Sequence, residues 1–288
     1  MKSGFIAVAG RPNVGKSTLV NALTGEKVAI TSDKPNTTRR RVTGIHTTDD
    51  AQLLLTDLPG WQRPIDTLTE RMQGTVDDAM SSDDVDAILL VVSARDRIGA
   101  GDKFVARRVF SLGIPVVIVL NKVDRLKAGH IAEQMKTAAV LGDFHALHPV
   151  SALTGDGIEE LRSDLISLLP DGPMYFPAGT DTDMPLEARI AELVREQALR
   201  LLKEELPHAV TAELVEIEEG RVHVRLYTET ESQKQILIGK GGTMVREIGR
   251  QARPGIEQLI GHQIHLQLQV KASPKWRRNQ TMLERLGL

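Results

Sequence analysis

Gly10-Arg11-Pro12-Asn13-Val14-Gly15-Lys16-Ser17 stands between an aliphatic run, Phe5 to Ala9, and an amphipathic stretch, Lys16 to Thr24. The spacing fits the pattern G-x-x-x-x-G-K-[ST], placed between a buried strand and a helix. Glycines at this spacing let backbone N–H groups turn inward as an anion cradle, and the helix N-terminus adds its positive end. Lys16 is placed to reach the outer phosphates of a nucleotide and Ser17 to ligate Mg²⁺. Gly10, Arg11, Pro12, Asn13, Val14, Gly15 and Thr18 complete the expected cradle.

Working outward, residues 1–170 alternate short aliphatic runs with longer amphipathic ones. Leu53 to Leu55, Ala87 to Val92, Val116 to Leu120 and Ala146 to Val150 read, with Phe5 to Ala9, as strands buried on both faces. Thr67 to Ser82, Lys103 to Ser111, Ile131 to Leu141 and Ile158 to Leu169 have helical spacing, as has Lys16 to Thr24. That alternation predicts an α/β domain with a mostly parallel sheet between helices, and Arg40 to His46 suits an edge strand.

The strand ends carry further chemistry. Asp57-Leu58-Pro59-Gly60 follows the run Leu53 to Leu55, where the carboxylate meets Mg²⁺ through its water shell and the Gly60 N–H faces a γ-phosphate. Asn121-Lys122-Val123-Asp124 and Ser151-Ala152-Leu153 follow two later strands. A carboxylate at Asp124 accepts two hydrogen bonds from guanine N1–H and its 2-amino group, a donor pair that adenine lacks, so the expected nucleotide is GTP or GDP.

Composition changes at Pro170 to Pro185, which is rich in proline, glycine and acidic residues and reads as a linker over 171–185. Beyond it, 186–288 has its own order: a helix from Leu186 to Glu205, strands at Thr211 to Ile217 and Arg221 to Tyr227, two or three short helices around Gly239-Lys240-Gly241-Gly242, and a strand from Gln263 to Lys271. Residues 234–288 hold ten basic and three acidic side chains, an asymmetry hidden by the net charge of −2. The G-x-x-G loop allows close backbone approach to phosphates, and Lys240, Arg246, Arg250, Lys271, Lys275, Arg277 and Arg278 supply positive charge. With only 3% aromatic residues a stacking surface is disfavoured, leaving Trp276 as one candidate platform.

At 288 residues, 41% of them apolar, two globular domains are expected. The absence of cysteine excludes disulfides and thiolate metal sites and fits the cytoplasm. The aliphatic runs are far short of the roughly 20 residues that span a bilayer. His145 with His148, and His262 with His265, are spaced as in some metal sites but read as structural, the second pair pointing to opposite faces of a strand.

The boxes above, with Asn36-Thr37-Thr38-Arg39 as the second, resemble the translation-factor-like branch of P-loop GTPases. In that pattern a switch threonine closes on Mg²⁺ and γ-phosphate; Thr38 is the choice and Thr37 the alternative, and Lys16, Thr38 and Gly60 form the expected catalytic set. Trp61 stands where many signalling GTPases carry a water-orienting glutamine. Asn13 matches the asparagine that helps hold K⁺ in similar potassium-stimulated members. The second half resembles a type II KH domain, whose loop clamps about four nucleotides of single strand. Gly239, Lys240, Gly241, Gly242, Arg246, Lys275, Trp276 and Arg277 are the expected RNA contacts. Together with the segments at 204–210 and 270–277, the whole chain resembles the bacterial Era GTPase family. That resemblance implies a chain that binds the 3′ end of 16S rRNA, acts on the 30S subunit precursor and associates peripherally with the cytoplasmic face of the inner membrane; a monomer is expected. Two other readings stay open on sequence alone, an RNA-binding scaffold with a structural nucleotide and a membrane-associated switch.

Overall fold

The computed structural model describes residues 1–81, 84–204 and 206–288. They form two compact units. The first comprises Met1–Ala29, Thr38–Arg63 and Met72–Asp183, and the second Ile30–Thr37, Pro64–Arg71 and Met184–Leu288.

The first half of the chain runs β1 (Lys2–Ala9), α1 (Lys16–Thr24), β2 (Val42–Thr47), β3 (Ala51–Asp57), α2 (Thr67–Met80), β4 (Val85–Ser93), α3 (Ala100–Phe110), β5 (Val116–Asn121), α4 (Ala128–Ala138), β6 (Ala146–Val150) and α5 (Ile158–Leu168). Six strands make one sheet in the order β2-β3-β1-β4-β5-β6, parallel except for the antiparallel edge strand β2. Its strands read as continuous aliphatic runs because both faces are covered. On one face Ile6, Val8, Leu89 and Val91 meet Leu19 and Leu23 of α1 and Leu161 and Leu165 of α5. On the other, Ala7, Ile88, Leu90 and Ile118 meet Val76 of α2, Val105 and Val109 of α3 and Ala138 of α4. Parallel strands share one direction, so every loop that follows a carboxyl end opens on one edge of the sheet.

The second unit contains α6 (Leu186–Leu201), a short α7 (Leu206–Ala209), β7 (Thr211–Glu218), β8 (Arg221–Thr228), α8 (Glu231–Ile238), α9 (Thr243–Ile260), β9 (His265–Ala272) and α10 (Gln280–Arg285). The sheet order is β7-β8-β9, with β7 antiparallel and β9 parallel to β8. Ile190, Val194 and Ala198 of α6 pack with Val222, Val224 and Leu226 of β8 and with Ile248, Ala252 and Ile256 of α9.

Three expectations change. Residues 171–183 are no free linker. Met1 and Ser3 backbone atoms pair with Gly172 and Pro170, Gln52 takes the N–H groups of Tyr175 and Phe176 at 2.8 and 3.0 Å, and Asp183 accepts from Thr43 N and Oγ1 at 2.8 and 2.6 Å. Proline and glycine remove regular structure from such a segment without removing its hydrogen-bond partners. Of the two or three short helices expected around the G-x-x-G loop, α8 precedes it, and the one that follows, α9, is long at 18 residues, its apolar stripe Ile248, Ala252, Ile256 holding it to the sheet despite Pro254 inside it. Finally, α6 stops at Leu201 and α2 at Met80; the expected ends at Glu205 and Ser82 lie outside the described residues.

Candidate functional site

The loop between β1 and α1 folds back over the helix it starts. Lys16 is buried, and its Nζ donates to the carbonyls of Gly10 and Arg11 at 3.2 and 3.0 Å. Val14 O accepts from Asn121 Nδ2 at 3.0 Å, which ties the loop to the end of β5. Arg11 turns away from the cradle, its Nε bonding Asp102 Oδ1 at 2.7 Å while Asp102 Oδ2 accepts from Gly99 N at 2.9 Å. A Cβ on Gly60 would fall 2.6 Å from Pro12 N, so the segment after β3 meets this loop only as glycine. Leu58 is buried and Pro59 lies between it and that contact.

Three oxygen-bearing side chains converge beside Lys16. Ser17 Oγ donates to Asp57 Oδ2 at 2.6 Å, lies 2.8 Å from Thr38 Oγ1, and Thr38 Oγ1 donates to the same Asp57 oxygen at 3.2 Å. Thr37 instead donates its hydroxyl to Lys34 O at 2.7 Å, so the structure brings Thr38 rather than Thr37 to this cluster. Asp57 is fully buried and its Oδ1 has no hydrogen-bond partner among the described residues. Two hydroxyls and a carboxylate with a free buried oxygen are a hard donor set, which fits Mg²⁺. Burial raises the Asp57 pKa, opposed by Lys16 and by the two hydroxyls. Burial lowers that of Lys16 to about 8, opposed by Asp57.

The other end is a cleft of about 210 Å³ lined by Gly15, Thr18, Arg95, Asn121, Lys122, Asp124, Arg125, Ala152 and Leu153. Asn121 frames it, its Oδ1 accepting from Lys122 N at 2.8 Å and Ala152 N at 3.0 Å. Ser151 Oγ donates to Asp124 Oδ1 at 2.7 Å and Arg125 Nε lies 3.2 Å from Oδ2, which orient the carboxylate and leave it lone pairs for two more donors. Lys122 Nζ reaches Asn13 O at 2.5 Å and its pKa is lowered, by burial first. Asn13 itself adopts φ 65°. Arg95 and Arg125 escaped the sequence reading because neither belongs to a motif.

In the second unit the G-x-x-G loop joins α8 to α9. Arg246 folds onto it, donating to Gly241 O at 2.8 Å and Gly242 O at 3.2 Å, while Lys240 and Lys275 are exposed. Beside it opens a groove of about 300 Å³ lined by Val245, Arg246, Gly249, Arg250, Arg253, His265, Leu266 and Leu268. Arg246, Arg250 and Arg253 recur at helical spacing along α9, a signal by which Arg253 was legible in the sequence.

Residues 5–122 match the family model of a 50S ribosome-binding GTPase and residues 200–277 that of a KH domain. GTPase Era of Clostridium botulinum (strain Okra / Type B1) is 40% identical over 291 residues, covering 99% of this chain and 98% of the relative. GTPase Era of Mycobacterium tuberculosis (strain CDC 1551 / Oshkosh) is 42% identical over 296 residues, with the same coverage. The chain belongs to the Era family of GTPases. Among solved structures, an Aquifex aeolicus Era variant bound to GDP·AlF₄⁻ matches with TM-score 0.93 at 34% identity, covering 100% of this chain and 99% of that one. Era in complex with MgGDPNP and nucleotides 1506–1542 of 16S ribosomal RNA matches with TM-score 0.92 at 34% identity and the same coverage.

Two of the residues expected to face RNA in this Era-family chain are engaged within the fold. Trp276 has no exposed surface, and its Nε1 donates to Ala209 O at 2.8 Å, so it is a core residue and no stacking platform. Arg277 is paired with Asp66 at 2.7 Å. Trp61 likewise packs in the core, under the Arg108 guanidinium at 5.1 Å from its ring centre. Of the histidines, His148 Nε2 lies 2.9 Å and His145 Nε2 3.5 Å from Asp164. Among the described residues no helix is long and apolar enough to cross a membrane.

Proposed function

We propose that this chain is a Mg²⁺-dependent guanine-nucleotide switch whose GTP-bound form governs RNA capture by its KH half, with the 3′ end of 16S rRNA in the 30S subunit precursor as target. The observation that carries this reading is the Ser17–Thr38–Asp57 cluster, where the phosphate loop, the switch and the end of β3 meet at mutual distances of 2.6 to 3.2 Å. Ser17, Thr38 and Asp57 would hold the metal, while Lys16 and the amides from Gly10 to Thr18 would cradle the phosphates. Bound Mg²⁺ supplies neutralisation of the charge that builds on the outer phosphates during transfer.

Asn121, Lys122 and Asp124, with Ser151, Ala152 and Leu153, hold the base, and Asp124 selects guanine. Gly60 offers its N–H to the γ-phosphate. An indole accepts no proton from water, and buried Trp61 leaves water positioning to the backbone or to K⁺ held with Asn13. The nucleotide-binding half spans 1–170, with 171–185 as its connection to an RNA-binding half at 186–288. In that half Gly239, Lys240, Gly241, Gly242, Arg246 and Lys275 face the strand, joined by Arg250 and Arg253. The chain acts as a cytoplasmic monomer that meets the inner membrane peripherally, a point tested by sedimentation with anionic vesicles.

The deciding experiment titrates a 3′-end 16S rRNA oligonucleotide with the protein loaded with GDPNP or GDP, alongside multiple-turnover GTP hydrolysis in K⁺ and in Na⁺. Tighter RNA binding in the GDPNP form and faster turnover in K⁺ are expected. Equal RNA affinities overturn the gating, and equal rates in the two salts overturn the K⁺ role.

A further inference from the structure

Two fully buried charged side chains of α6, Arg195 and Glu196, close on backbone of the segment that precedes Thr38. That segment, Ile30–Thr37, belongs to the same compact unit as α6. Glu196 Oε1 accepts from Thr31 N at 2.9 Å and from Thr31 Oγ1 at 3.3 Å, and Arg200 supports the same oxygen at 3.0 Å. Arg195 is held by Glu192 through Nε at 2.9 Å and Nη2 at 2.6 Å, and that Nη2 also donates to Thr37 O. Just before the segment, Asn21 of α1 holds Val28 N, Ala29 N and Ala29 O at 3.0, 2.9 and 2.8 Å.

Burying ionised groups is costly, and an apolar α6 would pack against its sheet equally well. What these two side chains add is a grip on a stretch that has no helix or strand of its own. The Thr37 carbonyl oxygen lies in the same planar peptide unit as Thr38 N and Cα. Fixing that oxygen therefore fixes the plane from which Thr38 departs. Thr38, the next residue along, has its hydroxyl against Ser17 and Asp57.

We infer that Arg195 and Glu196 are positioning residues for the switch: they prepay the ordering of 30–37, so that Thr38 closes on Mg²⁺ and γ-phosphate without having to recruit a free loop. The inference rests on the reading of Thr38 as the switch ligand. It makes the nucleotide preference of one half of the chain depend on a helix of the other half.

The test uses the full chain and fluorescent GDPNP and GDP, titrated at several Mg²⁺ concentrations. The variants are Arg195→Met, which fills the volume without a donor, Arg195→Lys, which keeps one, Glu196→Ala at the other end of the segment, and Thr38→Ala. Arg195→Met and Glu196→Ala are expected to weaken GDPNP binding roughly tenfold and to raise its Mg²⁺ requirement, with GDP affinity unchanged and Arg195→Lys partly restored. RNA affinity of the GDP forms reports that the KH half is intact. Should Arg195→Met fail to fold, Glu196→Ala carries the same test. Unchanged GDPNP affinity in a folded variant, or equal loss for GDP and GDPNP, overturns the inference. Thr38→Ala separates the two levels: if it keeps the parent's preference for GDPNP over GDP, the underlying switch reading fails instead.

Discussion

Arg277 Nη2 lies 2.7 Å from Asp66 Oδ2, with the two side chains only 15% and 9% exposed. The other carboxylate oxygen of Asp66 accepts from Thr69 N at 2.9 Å and Thr69 Oγ1 at 2.7 Å at the start of α2. Arg71, further along that helix, donates to Leu288 O at 2.7 Å. A charge neutralised in this way is unavailable to a phosphate. Arg277→Ala is therefore expected to destabilise the fold by about 2 kcal/mol, seen in thermal melting, while the salt dependence of RNA binding stays at the parent's slope. Exposed Lys275→Ala should do the reverse. A flattened salt slope with unchanged melting for Arg277→Ala would restore it to the RNA surface.

The glycines of the G-x-x-G loop are not equivalent. Gly239 has φ 76° and ψ 166°, and a Cβ there would lie 2.8 Å from Met244 N, so Gly239→Ala should cost about 2 kcal/mol or more of stability. Gly241, at φ 60° and ψ 25° with open space around it, accepts an aspartate, a residue that tolerates the left-handed region. Gly241→Asp is thus expected to melt close to the parent and to lose RNA affinity roughly tenfold or more by repulsion of phosphate. GTP hydrolysis without RNA should persist in it. Parent-like RNA binding by a folded Gly241→Asp would sink the loop assignment.

Asp124→Asn replaces one of two acceptors for guanine by a donor, while the amide can still hydrogen-bond Ser151. GTP affinity is expected to fall roughly 100-fold, and the variant should prefer xanthosine nucleotides, whose base presents the complementary edge. Competition of GTP and XTP against a fluorescent nucleotide measures both. Undiminished GTP binding would place the base elsewhere.

Burial that brings Lys16 to about 8 makes phosphate binding pH-dependent. Because the folded pKa lies below the unfolded one, the nucleotide-free fold binds fewer protons than the unfolded chain above about pH 8, and gains stability as pH rises from there toward the ordinary lysine range. Ligand binding has the opposite sign, since a phosphate favours the ammonium. GDP affinity should fall as pH rises through about 8, approaching tenfold per pH unit, with uptake of a proton. Calorimetry in two buffers of different ionisation enthalpy counts that proton, and a buffer-independent heat at about pH 8.5 would contradict it.

Much of the site was legible because its chemistry is local. The phosphate loop, Asp57 to Gly60 and Asn121 to Asp124 each occupy a few consecutive residues at a strand end, and the aliphatic alternation that defines those strands also dictates that the ends share one edge of the sheet. The 240–242 loop was legible for the same reason. Thr37 and Thr38, by contrast, are adjacent and chemically identical; only the path of the chain sends one hydroxyl to Lys34 O and the other to Ser17 and Asp57. Trp276 and Arg277 sit in a basic run that looks like surface, yet their partners are Ala209 and Asp66, far away in sequence. Gln52 and Asp183 anchor a segment whose composition reads as a free linker, and Arg195 and Glu196 show no sign in the periodicity of α6 that they hold residues 31 and 37. Periodicity reports which side of an element is buried, because that depends on solvent transfer of each residue alone. Which polar atom meets which across the fold depends on distances between segments far apart in the chain, and those exist only once the chain has folded.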